Sequence, residues 1–399
     1  MNNCDTVELG TVDETIASDL RKSFCELYGE PARVYRAPGR VNLIGEHTDY
    51  NDGFVMPVAV DLCVWVAIAP RVDRKLFIRS INFPDTVEVD LEAKAPSAHN
   101  HWSDYVQGVA MILARAGFRL QGANLLIRGD VPIGAGLSSS AAIEVATALA
   151  LLDNSGLVTD RVELAKLCRS AENEFVGARV GIMDQFASCC AQAGRALFLD
   201  CRSLDYQLLP LPPNVSLITC NTLVKHRHAS GEYNSRRAQC EEGVRLLSRS
   251  LAGIRALRDV TAEQLERHGH DDLRETIRKR CRHVVLENAR VCAAAVALQR
   301  GELTAFGQLM KESHRSLRDD YEVSCPELDL MVELAEKQEG VYGSRMTGGG
   351  FGGCTVNLVK PDAAAEFEHS VSVAYEKATG LSPQILVMSA ADGVGEVKG

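Results

Sequence analysis

Two glycines and three serines stand immediately before an apolar run that is typical of a helix. Residues 131–142 read VPIGAGLSSSAA, and the apolar run continues to Leu152. Glycines let backbone N–H groups approach an anion closely, serines add hydroxyl donors, and the start of a helix supplies partial positive charge. This pattern predicts a phosphate-binding loop, with an ordinary turn and a serine-capped helix as the structural alternative.

The loop follows neither of the two commonest nucleotide-binding patterns. A Walker P-loop has a lysine after its last glycine, and the dinucleotide fingerprint has a third glycine at a fixed spacing. Residues 131–142 contain neither. The sequence therefore indicates a triphosphate that is held without a P-loop lysine.

A second segment is dense in hydrogen-bonding side chains. Residues 36–53 read RAPGRVNLIGEHTDYNDG, with Glu46, His47 and Asp49 between a glycine and an Asn-Asp-Gly turn signal. Such flanks favour a loop over a buried strand. Each carboxylate can accept hydrogen bonds from two donors, so the segment suits a ligand with several hydroxyl groups. A solvated turn with local side-chain capping is the alternative.

These segments, with three others, resemble the galactokinases of the GHMP small-molecule kinase family. The matching motifs are GRVNLIGEHTDY at residues 39–50, PIGAGLSSS at 132–140 and GGGFGG at 348–353, together with GIMDQF at 181–186 and SGEYN at 230–234. The resemblance extends from about residue 33 to about residue 393. Five motifs in the family's order make a chance match implausible.

The resemblance implies an α+β fold of two lobes with the active site between them. The N-terminal lobe would be like domain 2 of ribosomal protein S5, and the C-terminal lobe would be ferredoxin-like. A proline cluster at residues 209–213 places the boundary, which gives lobes of residues 1–212 and 213–399. The mixed order of predicted strands and helices agrees with α+β rather than a doubly wound sheet.

Hydrophobic periodicity predicts where these elements lie. Helices are expected at residues 13–28, 102–116, 163–173, 235–251 and 278–298. Strands are expected at residues 34–36, 55–69, 75–79, 86–90, 123–129, 196–200, 216–219, 355–359 and 384–388. The glycines at 348–353 exclude an ordinary strand and favour close packing against the cleft, with residues 348–350 toward the substrate.

Phosphoryl transfer to a hydroxyl needs positioned reactants, charge neutralisation and usually a proton acceptor. By resemblance Asp184 accepts the proton of the sugar hydroxyl, although its local sequence fits a helix N-cap equally well. Arg40 is the expected partner, because its guanidinium would stabilise the carboxylate and offset charge on the transferred group. A surface salt bridge is the alternative for Arg40. Either Lys225 or Arg227 is expected to support the carboxylate as well.

The remaining site residues are implied by the resemblance alone. The expected sugar ligands are Arg40, Glu46, His47, Asp49, Gly181, Asp184 and Tyr233. The expected nucleotide-binding residues are Ser80, Trp102, Gly134, Ala135, Gly136, Leu137, Ser138, Ser139 and Ser140. Ser140 and Glu172 are the expected ligands of Mg²⁺, which normally keeps waters and phosphate oxygens besides few protein ligands. The alternatives are a core position for Trp102 and a solvated helix end for Glu172.

The implied activity is ATP-dependent phosphorylation of the C1 hydroxyl of α-D-galactose, the first committed step of galactose (Leloir) metabolism. The His-Thr-Asp triple at residues 47–49 resembles galactose-specific members more than those acting on N-acetylgalactosamine or arabinose. A kinase for N-acetylgalactosamine or another pyranose is the first alternative. A non-catalytic sensor of galactose and ATP is the second, and it is disfavoured because the proton-acceptor position is occupied.

The composition limits which classes of binding partner and which cellular compartment are expected. The net charge of −10 and the lack of a long Lys/Arg run argue against nucleic acid, and the longest apolar stretch, at residues 54–70, is too short and interrupted for a membrane span. Thirteen scattered cysteines without a C-x-x-C pair, and no basic and apolar leader, favour a reducing cytoplasmic location. Zinc is not expected. We expect a monomer, with a weak homodimer as the alternative.

Overall fold

The computed structural model describes residues 12–93, 98–225 and 229–398, and its strands form three sheets. The predicted strands and helices are present, with ends that differ by up to six residues, and the single strand predicted at residues 55–69 is divided into two. The strands are β1 (Arg33–Asn42), β2 (Phe54–Val55), β3 (Pro57–Arg71), β4 (Lys75–Ser80), β5 (Thr86–Asp90), β6 (Gly122–Gly129), β7 (Arg195–Asp200), β8 (Tyr206–Pro210), β9 (Ser216–Lys225), β10 (Val341–Thr347), β11 (Gly352–Val359), β12 (Gln384–Met388) and β13 (Gly395–Val397).

Eleven α-helices are interspersed with these strands in the described ranges. They are α1 (Val12–Tyr28), α2 (Asp104–Arg115), α3 (Ser139–Asn154), α4 (Arg161–Ala171), α5 (Met183–Cys190), α6 (Ala229–Leu247), α7 (Ala262–Asp272), α8 (Glu275–Gln299), α9 (Leu303–Ser316), α10 (Pro326–Glu336) and α11 (Ala364–Thr379). Short 3₁₀ turns occupy Asp49–Asn51, Leu257–Asp259 and Pro361–Ala363, and π-helical turns occupy Glu172–Val176 and Leu317–Tyr321.

The first lobe is built on a six-stranded sheet in the order β13-β1-β3-β6-β4-β5. Its strands pair antiparallel except for β4 with β6, which are parallel. The central strand β3 is buried on both faces, since Val64, Val66 and Ile68 join the main core while Trp65 and Ala67 pack on the opposite side. Burial on both faces explains why residues 54–70 read as a nearly unbroken apolar run.

Helix α1 covers the second face of this sheet. Ala17, Leu20 and Phe24 are buried there against Trp65 and Leu126. Their spacing of three and four residues places them on one side of the helix. This helix therefore closes the back of the sheet. The sequence alone does not tell whether residues 1–30 cover the sugar pocket; of these, Val12–Tyr28 form α1 on the back of the sheet, and residues 1–11 lie outside the described residues.

The second lobe contains an antiparallel sheet in the order β10-β11-β9-β12. Helices α10 and α11 cover one face, where Met331, Phe367 and Tyr375 pack together. On the other side, Phe306 and Val356 share one apolar cluster with Val58 of the first lobe. The two lobes are thus joined by a continuous core.

The chain returns to the first lobe at its end. Strand β13 pairs antiparallel with β1, with Val397 opposite Val34. The division into residues 1–212 and 213–399 stays a prediction, but residues 395–397 belong to the sheet of the first lobe. A three-residue strand that pairs so far along the chain gives almost no periodic signal of its own.

The exclusion of a strand from residues 348–353 is wrong for its last two residues. Gly352 and Gly353 begin β11, with φ angles of 119° and 83°. The register with β9 shifts between Gly352 and Cys354, which marks a bulge. Positive φ at glycine permits such a bulge at no steric cost.

None of the helices in the described ranges combines the length and the apolar character needed to cross a bilayer.

Truncation of Phe24 tests the packing of α1. Its side chain is fully buried, so Phe24→Ala is expected to lower the free energy of unfolding by about 3–5 kcal/mol. Urea unfolding followed by circular dichroism measures this change. Val12→Ala on the same helix is the control, since Val12 is 75% exposed and should change stability by less than about 0.5 kcal/mol. Equal effects of the two variants would contradict the packing of α1 on the sheet.

Candidate active site

An arginine and an aspartate from distant parts of the chain form the centre of the cleft. The Arg40 Nε atom donates to Asp184 Oδ1 at 2.8 Å, and Nη2 donates to Oδ2 at 2.7 Å. Arg40 lies near the end of β1 and is 5% exposed. A bidentate, charge-assisted pair of this kind fixes both the distance and the plane of the carboxylate. The alternative of a surface salt bridge for Arg40 is therefore wrong.

Asp184 is the second residue of α5 and does not cap it. The N-cap position is Ile182, and the Asp184 carboxylate contacts Arg40 and the Ser138 hydroxyl instead, the latter at 2.5 Å. The helix-cap alternative for Asp184 is wrong. About a quarter of its side chain is exposed, so the carboxylate is accessible from the cleft.

Arg40 also ties β1 to the predicted phosphate loop. Its Nη1 atom donates to the Gly136 carbonyl at 2.6 Å, and its backbone N–H donates to the Leu137 carbonyl at 3.0 Å. A Cβ atom on Gly39 would lie 2.6 Å from that same Leu137 oxygen. Glycine is thus required at residue 39 for the loop to approach β1.

The phosphate loop borders a pocket of about 330 Å³. Gly134, Ser139 and Ser140 line it from the loop, and Ser80 and Trp102 line it from the opposite side. These five expected nucleotide-binding residues are therefore brought together.

An aromatic wall of this pocket contains the expected Trp102 and also Phe83, which sequence reasoning missed. The Trp102 ring stacks on Phe83 with centroids 5.5 Å apart and an interplanar angle of 7°. The Trp102 Nε1 atom has no hydrogen-bond partner among the described residues. Phe83 lies in the bend between β4 and β5, which is too short to give a periodic signal.

Four of the expected loop residues do not line this pocket, and one of them, Gly136, accepts the hydrogen bond from Arg40. Ala135 and Leu137 are 2% and 1% exposed, with side chains in the main apolar core. Only their backbone can face a phosphate. The Ser138 hydroxyl contacts Asp184 and not the pocket lining.

The expected metal carboxylate lies beside the loop. Glu172 begins the π-helical turn, is 5% exposed and accepts a hydrogen bond from Gln185 Nε2 at 2.6 Å. The Ser140 hydroxyl is close enough to lower the pKa of this carboxyl. The alternative of a solvated helix end is wrong. Burial and then the charge of Asp184 raise the pKa of Glu172 to about 7.

A second buried carboxylate, which sequence reasoning missed, adjoins Glu172. Gln185 Nε2 also donates to Glu144 Oε2 at 3.0 Å, and Glu144 is fully buried on α3. Burial and the proximity of Glu172 raise the pKa of Glu144 well above its usual range. Its position four residues after Ser140, on the same face of a helix, was the available sequence signal.

Asp49, another of the expected sugar-binding carboxylates, is partly exposed and begins the first 3₁₀ turn. A Cβ atom on Gly181 would lie 1.9 Å from Asp49 Oδ2, so only glycine leaves room for this carboxylate. Burial and then the charge of Asp184 raise the pKa of Asp49 to about 6. Asp49, Gly181 and Asp184 therefore form one wall of the cleft.

Aromatic rings surround His47 in the same segment. Its Nδ1 atom lies 2.8 Å from the Tyr50 hydroxyl, and its ring centroid is 5.5 Å from that of Tyr233 and 4.7 Å from that of Tyr321. Burial lowers the pKa of His47 well below its usual range. The imidazole is therefore neutral near pH 7. Tyr233 of α6 lies beside it, and contact of Tyr233 with a sugar stays a prediction.

Glu46 is buried and is not open to the cleft, as a carboxylate that binds a ligand directly would be. It is 1% exposed and pairs with the fully buried Arg345 of β10. Its remaining contacts are with Asn42 Nδ2 at 3.0 Å, Thr347 Oγ1 at 3.2 Å and the Gly348 N–H at 3.0 Å. These contacts join the sugar-binding segment to the second lobe, and direct contact of Glu46 with a sugar stays a prediction.

The glycine-rich motif packs closely on the phosphate loop, as predicted. A Cβ atom on Gly348 would lie 3.0 Å from the Gly136 carbonyl oxygen, and one on Gly353 would lie 3.1 Å from the Ala135 oxygen. One on Gly349 would lie 3.5 Å from the Tyr233 ring. The motif thus brings the second lobe against both the phosphate loop and the sugar side.

The expectation that either Lys225 or Arg227 supports the Asp184 carboxylate stays a prediction. Lys225 is the last residue of β9, but its side chain lies outside the described part of the chain, as does the whole of Arg227.

Comparison with known proteins identifies the family to which this site belongs. Residues 22–70 match the model of the galactokinase galactose-binding signature, and residues 104–192 and 294–377 match the GHMP kinase N-terminal and C-terminal domains. The galactokinase of Roseiflexus sp. strain RS-1 is 48% identical over 382 residues, which cover 95% of this chain and 97% of that protein. The chain belongs to the galactokinase family.

Other relatives agree with this family assignment. The galactokinase of Chloroflexus aggregans is also 48% identical, over 94% of this chain and 97% of that protein. The crystal structure of Lactococcus lactis galactokinase complexed with galactose superposes with a TM-score of 0.92 at 36% identity, covering 96% of this chain and all of that one. A mevalonate kinase structure, at 17% identity and a TM-score of 0.63, shares the fold. The expected GHMP kinase fold is confirmed.

The buried ion pair between Arg345 and Glu46 can be tested by its effect on the free energy of unfolding of this galactokinase family member. Arg345→Met leaves the Glu46 carboxylate buried without its cation and is expected to lower the free energy of unfolding by about 3–5 kcal/mol. The double variant Arg345→Met/Glu46→Gln removes both charges and should recover most of this loss. Urea unfolding of the parent protein and the two variants measures both effects, and a double variant no more stable than Arg345→Met would contradict the pairing.

Proposed function

We propose that this protein transfers the γ-phosphoryl group of ATP to the C1 hydroxyl of α-D-galactose and releases galactose 1-phosphate and ADP. The observation that carries the proposal is the Arg40–Asp184 pair, held against the phosphate loop and beside Asp49. Membership of the galactokinase family supports the substrate. The galactose complex of the Lactococcus lactis relative is consistent with it.

The step requires a proton acceptor beside the attacking hydroxyl. Asp184 accepts the proton of the C1 hydroxyl while that oxygen forms its bond to the γ-phosphorus and the bond to the ADP oxygen breaks. Arg40 holds the carboxylate through both oxygens, and its Nη1 atom donates to the Gly136 carbonyl of the phosphate loop. Its positive charge also offsets the negative charge on the transferred group.

The pocket beside the loop suits the adenine nucleotide. Trp102 and Phe83 supply an aromatic wall, Ser80 lies on the same side, and Ser139 and Ser140 begin the helix whose N-terminus favours phosphate. Positive φ angles at Gly134 and Gly136, of 69° and 81°, shape the loop. ATP is therefore proposed to lie between Trp102 and the start of α3.

The donors at Ser140 and Glu172 fit Mg²⁺. A hydroxyl and a carboxylate supply the hard oxygen ligands that Mg²⁺ takes, and few protein ligands suffice because phosphate oxygens and waters complete its shell. When bound, Mg²⁺ neutralises phosphate charge. Ser140 and Glu172 would hold it, and Gln185 fixes the carboxylate through a 2.6 Å hydrogen bond.

The sugar is proposed to lie between the wall of Asp49, Gly181 and Asp184 and the rings of His47 and Tyr233. Asp49 offers acceptor oxygens for vicinal hydroxyl groups, and the neutral His47 ring can accept or donate one hydrogen bond. Glu46 supports this segment from behind. We also propose a cytoplasmic location, since twelve of the cysteines are free in the described residues, most of them buried. The monomeric state stays a prediction.

The activity is tested by ADP formation across a panel of galactose, N-acetylgalactosamine, arabinose and glucose, with ³¹P NMR to identify the phosphorylated position. Galactose is expected to give the highest kcat/KM and a C1 phosphate. Asp184→Ala should lower kcat by about 10²–10⁴-fold, because it removes the proton acceptor. Asp362→Ala, which removes an exposed aspartate of the second lobe, is the matched control and should leave kcat unchanged.

Three outcomes would overturn parts of this proposal. Preference for N-acetylgalactosamine or another pyranose would change the substrate. Tight binding of ATP and galactose without ADP release would indicate a sensor. A folded Asp184→Ala protein with normal turnover would remove Asp184 from the mechanism.

The raised pKa of Asp49 predicts a pH dependence of sugar affinity. Asp49 is protonated below about pH 6 and then loses an acceptor for sugar hydroxyls, so galactose affinity should fall by about tenfold between pH 7 and pH 5. Calorimetric titration with galactose in the absence of ATP measures it. Asp49→Asn should bind more weakly with a flat profile over this range, and an unchanged profile in that variant would assign the titration to another group.

A further inference from the structure

Ser138 adopts a backbone conformation that serine rarely takes. Its φ and ψ angles are 62° and 44°, in the left-handed region. The same loop has glycine at residues 134 and 136, where φ is also positive. Glycine adopts this region without steric cost and serine does not, so a serine here indicates a use for its side chain.

The Ser138 hydroxyl does not cap the helix that follows it. Ser138 is the N-cap residue of α3, a position where a serine side chain usually accepts a hydrogen bond from a backbone N–H of the first turn. No such bond is formed. The hydroxyl donates instead to Asp184 Oδ2 at 2.5 Å, across 46 positions of the chain.

This contact completes the donor set of the Asp184 carboxylate. Arg40 donates to both oxygens, and Ser138 adds a second donor on Oδ2. Arg40 fixes the plane of the carboxylate from β1, whereas Ser138 holds it from the phosphate loop. The orientation of Asp184 therefore depends on the arrangement of that loop.

The three consecutive serines have different surroundings. Ser139 and Ser140 line the nucleotide pocket, and Ser140 also contacts Glu172. Ser138 does not line that pocket. The residue types alone suggested three equivalent phosphate-binding hydroxyls, but the geometry separates one of them from the other two.

We propose that Ser138 is a positioning residue for the catalytic carboxylate and not a phosphate ligand. Its hydroxyl holds Asp184 in the orientation that accepts the proton of the sugar hydroxyl, and it couples that orientation to the phosphate loop. The inference rests on the proposed function of Asp184. The hydrogen bond to Asp184 then accounts for the unfavourable left-handed backbone at Ser138.

The proposal predicts a separation of kcat from KM. A serine that binds phosphate would raise the KM for ATP when truncated, whereas a serine that orients the proton acceptor would lower kcat. Ser138→Ala is expected to lower kcat by about 10- to 100-fold, the range for a lost hydrogen bond to a charged group, with the KM for ATP within about threefold of the parent.

Two further variants separate the hydroxyl from the backbone. Ser138→Gly also removes the hydroxyl but favours the left-handed backbone, so it should lower kcat as much as Ser138→Ala does. Ser139→Ala is the matched neighbour, and it is expected to raise the KM for ATP because Ser139 lines the nucleotide pocket. Calorimetric binding of a non-hydrolysable ATP analogue provides a second readout that is independent of turnover.

A double-mutant cycle with Asp184 completes the test. In the Asp184→Ala background, Ser138→Ala should cause no further loss of the residual rate, because its partner is absent. Independent, additive losses would overturn the inference, and so would a raised KM for ATP with normal kcat. The proposed function fails separately, if the parent protein does not form ADP with galactose or if Asp184→Ala retains normal turnover.

Discussion

The pairing of Arg40 with Asp184 is the contact on which the rest of the site depends. The two residues are 144 positions apart and meet through two hydrogen bonds of 2.7–2.8 Å. Burial of a charged pair is costly unless further hydrogen bonds satisfy it, and here the Gly136 carbonyl and the Ser138 hydroxyl do so. The end of β1, the first turn of α5 and the phosphate loop must therefore be aligned together.

The second lobe is held to the first by close backbone approach and by a buried charge. A Cβ atom added at Gly348 or Gly353 would lie 3.0 or 3.1 Å from a backbone oxygen of the phosphate loop. Larger residues at these positions would therefore disturb the contact between the lobes. Arg345 reaches from β10 to Glu46 and lies 3.9 Å from Glu287. Glu287 in turn accepts the Gly45 N–H at 2.9 Å. The conformation of the sugar-binding segment is thus set largely by the lobe that it faces.

The sequence predicted those parts of the molecule that have a local signal. The strand at residues 86–90 was placed without error, because alternation and flanking turn residues define it. The phosphate loop was recognised from glycines and serines, whereas the pairing of Arg40 with Asp184 came only from the family resemblance. The partner of Ser138, the burial of Glu46 and the return of β13 to the first sheet depend on contacts between distant segments, which no local pattern encodes.

The density of carboxylates in the cleft has a consequence for ligand binding. Asp49, Glu172 and Asp184 lie near one another, and the charge of Asp184 contributes to the raised pKa values of the other two. Arg40 is already paired with Asp184, so it offsets this repulsion only in part. Hydroxyl donors at Asp49 and a cation at Glu172 would relieve it further. A site arranged in this way is less stable alone than with its ligands, and their binding should therefore stabilise the fold of both lobes together.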